Sequence, residues 1–163
     1  MSSTVLVSII SGLEGRVGSN PKIIKIYPDN LDATEEFILE KSLPHGALPD
    51  QFFQDKLDSR NILVYTFEIE KDGRNDLASI GLVLDKDVII ENLQPIIKCL
   101  INRLNSENLL TYEIFQESLP KIIDGLNKKS KIKIGKMIFD VNSILNEEKL
   151  ELKQKTRKAR GMF

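Results

Sequence analysis

Cysteine and histidine are almost missing from this chain of 163 residues, each occurring once, as Cys99 and His45. A single cysteine excludes an internal disulfide framework and fits a reducing compartment. One thiol and one imidazole cannot assemble a Cys/His metal site, so no metal is expected. A nucleophile–base pair would have to use His45, which lies in the turn-like run Pro44-His45-Gly46, a solvated setting. Cys99 falls in an apolar helical stripe and reads as a small core side chain. No apolar run exceeds a few residues, so no segment suits a membrane span. Met1-Ser2-Ser3 leads straight into a β-like run, with neither a basic region nor a small-residue cleavage site, so no signal peptide is expected. The glycines at 12, 15 and 18 suggest a phosphate loop, but the Lys-Ser/Thr pair that would reach phosphate and magnesium is missing. No pair of carboxylates stands out from a solvated surface. These absences argue against a self-contained active site and against a bound cofactor.

What remains is the composition of one folded domain. Hydrophobic residues make up 41% and charged residues 29%, enough to fill a core and too apolar for a disordered chain. The net charge of −1 conceals an asymmetry. From Lys149 onward, six cations face Glu151 alone, so a basic tail follows an acidic body. Such a tail reads first as solvated, and second as a peripheral contact with anionic lipid or an acidic partner. Nucleic acid is not expected, because no stacking aromatics are interleaved with the cations.

Residue patterning gives the element order. Val5–Ile10 is β-branched and reads as a strand ended by Gly12, with Ser11–Asn20 as a loop. Lys22–Tyr27 is a second strand, stopped by Pro28. Asp32 and Glu35 have capping-box spacing for a short helix that Pro44-His45-Gly46 breaks. Phe52–Leu57 is a weaker strand. The strongest signal is a hairpin, Ile62–Glu70 and Ala78–Asp85, joined by the polar turn Lys71–Asp76. Two amphipathic helices follow. One carries Leu93, Ile96, Ile97, Leu100, Ile101 and Leu104, with Asn92 as cap and Pro95 in its first turn. The other carries Leu119, Ile122, Ile123 and Leu126, with Ser118 as cap. Ile132, Ile134 and Met137–Phe139 suggest a short strand or hairpin, and Val141, Ile144, Leu145 and Leu152 a last helix. Hairpin-linked strands with helices grouped after them imply an α+β fold, an antiparallel sheet covered by helices.

Three local patterns occur in a specific order: Asn20-Pro21-Lys22-Ile23 leading to Tyr27-Pro28, Arg74-Asn75 before the strand 77–84, and Leu93–Lys98 opening the first long helix. With them, residues from about Val5 to Ile134 resemble the N-terminal longin domain of the nitrogen permease regulator-like 2 family. The resemblance implies a longin fold, with five antiparallel strands between one helix and two. It assigns residues 4–140 to the longin domain and 141–163 to a C-terminal helix and basic tail. It also implies pairing with another longin or roadblock-type domain, a small GTPase of the Rag/Ras-like kind as partner, and a cytoplasmic setting. The family's catalytic arginine belongs to the Arg-Asn pair before the fifth strand. Arg74 is thereby the candidate arginine finger and Asn75 its supporting neighbour. A non-catalytic longin scaffold for membrane trafficking is the alternative.

Overall fold

Runs of β-branched and aromatic residues build the larger of two sheets in the computed structural model, which describes residues 5–14, 20–27, 34–43, 46–57, 60–71, 73–86 and 88–144. Its strands are β1 (Val5–Glu14), β2 (Asn20–Tyr27), β3 (Gln51–Leu57), β4 (Arg60–Lys71) and β5 (Arg74–Leu84). All neighbours are antiparallel, in the order β2-β1-β5-β4-β3. Helix α1 (Glu35–Ser42) falls between β2 and β3, and α2 (Ile90–Ser106) and α3 (Tyr112–Lys128) follow β5. A separate hairpin, β6 (Lys131–Ile134) and β7 (Met137–Asp140), comes next, and residues 141–144 after it are helical, where a last helix was expected to begin. The mixed class and the five-stranded antiparallel sheet agree with the expectation from patterning. His45, Asp32 and the segment from Leu145 through the basic tail lie outside the described residues.

The pleat of β4 divides the core. Alternate side chains face opposite sides of a sheet. Ile62 and Val64 accordingly pack with Val7, Ile9, Val83 and Ile38 of α1. Leu63, Tyr65, Phe67 and Ile69 join the apolar stripes of α2 and α3 and the inner side of β6–β7. Every stripe residue expected on the two long helices is buried. At about 1.5–3 kcal/mol per fully buried aliphatic side chain, these stripes are the main force holding α2 and α3 to the sheet. On the α1 side, Ser79 Oγ donates to the Ser42 carbonyl at 2.6 Å and Ser11 Oγ bonds Ser42 Oγ at 2.8 Å. These buried hydroxyls fasten the end of α1 to β1 and β5.

Helix starts differ from the sequence reading. α1 is capped by Thr34, whose side chain accepts from the Phe37 N–H at 3.3 Å. α2 begins at Ile90, so Pro95 lies inside the helix and not in its first turn, and Asn92 is no cap. Ile90 packs against the core, which rewards the earlier start. α3 begins at Tyr112, capped by Thr111, whose side chain accepts from the Ile114 N–H at 3.2 Å. Ser118 therefore sits buried in mid-helix, and Phe115 extends the apolar stripe one turn towards the start.

Gly12 does not end β1, which continues to Glu14. A side chain at Gly12 would collide with the Tyr112 ring, so this glycine serves a close approach between β1 and α3 and not a turn. Gly125 plays the same part between α3 and Ile132 of β6. The start of β1 is tied to α3 as well: Asn127 accepts from the Val5 N–H at 2.6 Å and donates to the Val5 carbonyl at 3.2 Å.

Candidate functional site

The expected β4–β5 hairpin forms, but its turn is tighter than the polar run suggested. Lys71 pairs directly with Arg74, leaving only residues 72 and 73 between the strands. Gly73 takes a φ of +75°, which a two-residue hairpin loop requires and glycine allows without steric penalty. Arg74 is thus the first residue of β5, and Asn75, exposed, pairs with Glu70.

The neighbouring strands stop short of this end. β1 accompanies β5 only as far as the Gly12–Ala78 pair, and β3 accompanies β4 only as far as Gln51–Thr66. Beyond them, among the described residues, β4 and β5 continue alone through Glu68–Leu77, Ile69–Asp76, Glu70–Asn75 and Lys71–Arg74. At about 3.4 Å per residue, Arg74 stands roughly 14 Å further along β5 than Ala78. Ile69 anchors the ribbon, being buried in the main core at 1% exposure. Two cationic residues, Lys71 and Arg74, are register partners at its end.

A second constellation, which patterning did not disclose, lies where the chain enters β3. Asp50 has a φ of +60°, a conformation that Asp tolerates better than most residues. Its N–H donates to the Thr66 carbonyl at 2.8 Å, and Thr66 Oγ1 donates to the Leu48 carbonyl at 2.6 Å. Tyr65 donates its hydroxyl to Asp50 Oδ1 at 2.7 Å, and Lys98 of α2 lies 3.3 Å from the same oxygen. The Tyr65 hydrogen bond, aided by Lys98, lowers the Asp50 pKa below the usual carboxylate value. Burial, together with that carboxylate, raises the Tyr65 phenol above the ordinary tyrosine range.

The Tyr65 ring packs against Phe52 at 4.6 Å and Phe67 at 6.2 Å between centroids, and Phe67 against Phe115 at 5.8 Å. Above this row is an open cleft of about 320 Å³, edged by Asp50, Glu68, Lys98, Asn102 and Asn105. Its phenol and its cation are both engaged by Asp50, so the arrangement restrains the loop into β3 and does not present a reactive group. The sequence carried no sign of it, because Asp50, Tyr65 and Lys98 are brought together only by packing α2 on β4.

Among the described residues, no group of three His, Cys, Asp or Glu side chains is placed to hold a metal ion. Cys99 is partly buried and packs against the main core, as a core side chain would. No described helix is long and apolar enough to cross a membrane. No protein-family model matches the chain, and a search of curated proteins also finds no match.

Proposed function

We propose that this chain is a longin-domain regulator of small GTPases, presenting Arg74 in trans as an arginine finger. The observation that carries the reading is the position of Arg74 at the end of a ribbon that outruns the rest of the sheet. A finger has to reach from one protein into the nucleotide site of another, and a projecting, core-anchored ribbon is a suitable mount. The longin assignment draws support from the five antiparallel strands, with Ile38 of α1 packed into one cluster and α2 and α3 into the other. It rests otherwise on the resemblance carried by the motifs around Asn20, Arg74 and Leu93.

In this reading the GTPase supplies nucleotide, magnesium and attacking water, and the chain supplies charge. A planar guanidinium offsets the negative charge that develops on the transferring phosphoryl oxygens, which accelerates hydrolysis about 10³–10⁵-fold in GTPase-activating proteins. Asn75 follows as a supporting polar residue on the same ribbon. Single-turnover GTP hydrolysis by Rag- and Ras-like GTPases, with and without the full chain, tests the proposal. Stimulation by the native chain that Arg74→Ala abolishes, with GTPase binding retained, is the expected result. Stimulation that survives the substitution would refute the finger.

A non-catalytic scaffold is the second reading. It is favoured by β3, which among the described residues is an edge strand of seven residues paired on one side only. An open edge of that length is a template for a second longin or roadblock-type domain. Binding of a GTPase without any change in its turnover would select this reading over the first.

A further inference from the structure

The β6–β7 hairpin buries one side and leaves an unusual one outward. Ile132, Ile134, Met137 and Phe139 are all buried. Strand alternation therefore turns Lys131, Lys133 and Ile138 to the opposite side. Ile138 is 54% exposed and is the register partner of Lys133. Lys136 in the turn, and Lys128 and Lys129 at the end of α3, are exposed as well. Five lysines thus fall within nine residues. Two carboxylates lie among or beside them. Asp124 pairs with Lys128 at 3.1 Å, and Asp140 accepts N–H groups from Asn142 and Ser143 at 3.1 and 3.3 Å.

We propose that this outer face docks on an anionic lipid bilayer, with Ile138 entering the headgroup layer and the lysines contacting acidic headgroups. The pairing of a solvent-facing branched aliphatic with surrounding cations suits the interface between acyl chains and headgroups. Lysine stems lie along apolar surface while their ammonium groups stay in water. The patch contains no arginine, and so lacks the planar fork suited to bidentate phosphate recognition. It has no outward aromatic ring on which a base would stack. A bilayer is the occupant that uses both the charge and the isoleucine.

The test is co-sedimentation of the full chain with vesicles of phosphatidylcholine alone, and of phosphatidylcholine and phosphatidylserine in equal parts. The native chain binds the acidic vesicles and not the neutral ones. Each lysine near an acidic surface contributes about a factor of five, so the Lys131→Gln/Lys133→Gln/Lys136→Gln variant should bind on the order of 100-fold more weakly. Ile138→Ser should bind several-fold more weakly and keep the native dependence on salt. Should the triple variant melt early, Lys133→Gln alone gives the same reading with about a fivefold loss. Undiminished vesicle binding by the lysine variants would overturn the proposal. So would an absence of vesicle binding together with lysine-dependent capture of polyglutamate or of an oligonucleotide.

Discussion

Tyr65 and Asp50 meet across the entrance to β3, where the phenol donates a 2.7 Å hydrogen bond to a carboxylate whose own backbone is left-handed. Tyr65 is almost wholly buried, while the Asp50 side chain is 58% exposed, as is 48% of Lys98. The two contacts on Asp50 therefore differ in worth. An exposed lysine–carboxylate pair contributes about 0–1 kcal/mol. A hydrogen bond from a buried phenol to a carboxylate contributes more, about 1.5–3 kcal/mol in a dry setting and towards the lower end here. Tyr65, and not Lys98, is the principal restraint on the loop.

Tyr65→Phe keeps the ring stack with Phe52 and Phe67 and removes only the hydroxyl. It should lower stability by about 1–1.5 kcal/mol in urea unfolding. Lys98→Ala should cost less than about 0.5 kcal/mol. Equal losses for the two variants would show that the ion pair, and not the phenol, holds Asp50.

The same contact sets a dependence on pH. The Asp50 pKa is lowered in the folded chain, so its contribution is present above the unfolded carboxylate value of about 3.9 and is lost as pH falls through the folded one. The Tyr65 pKa is raised, so its contribution is full below the unfolded value of about 10 and declines as pH rises beyond it. Denaturation midpoints measured from pH 3 to pH 11 check both limbs. Tyr65→Phe should flatten both, and an unaltered profile in that variant would contradict the assignment.

In the proposed reading, substituting Arg74 should act on stimulated hydrolysis alone. Lys71 and Arg74 are paired through backbone groups, so Arg74→Ala should leave the thermal midpoint near the native value. Stimulated GTP hydrolysis should fall by about 10³-fold or more. Arg74→Lys should recover little of it, because an ammonium lacks the fork of donors. Full activity in the lysine variant would mean that simple positive charge, not a finger, is at work.

Gly125 offers a case where two effects oppose each other. Alanine is favoured over glycine within a helix by about 1 kcal/mol. A Cβ at position 125 would, however, overlap Cγ1 and Cδ1 of Ile132. Overpacking of this kind costs about 1–3 kcal/mol, so Gly125→Ala should destabilise overall. Adding Ile132→Ala removes the overlapping atoms, and the double variant should lose less than the sum of the two single losses. Strict additivity in thermal unfolding would show that the helix and hairpin do not press together at this point.

Much of the architecture was legible in the chain because it depends on near neighbours. The β-branched runs, the Gly73 turn and the three-and-four spacing of Leu93–Leu104 and Leu119–Leu126 each state a local preference and a buried face. Helix starts were less legible. Asp32, Asn92 and Ser118 are chemically suitable caps, yet α2 begins earlier where Ile90 finds the core, and α3 earlier where Phe115 does. Capping is worth about 1 kcal/mol, and burial of one large apolar side chain outweighs it.

By itself, then, the sequence determined an antiparallel sheet covered by amphipathic helices and a hairpin whose polar run from Lys71 to Asp76 contains Arg74. Tertiary structure alone decided how far that hairpin outruns its neighbours, since this depends on where β1 and β3 cease to pair. It also decided that Asp50, Tyr65 and Lys98 meet, and that Ile138 faces water among lysines. Local propensities specify which residues form a strand or a helix. Which elements lie side by side, and which face is left uncovered, follows only from closing the whole core, because that is where most of the stabilising burial is gained.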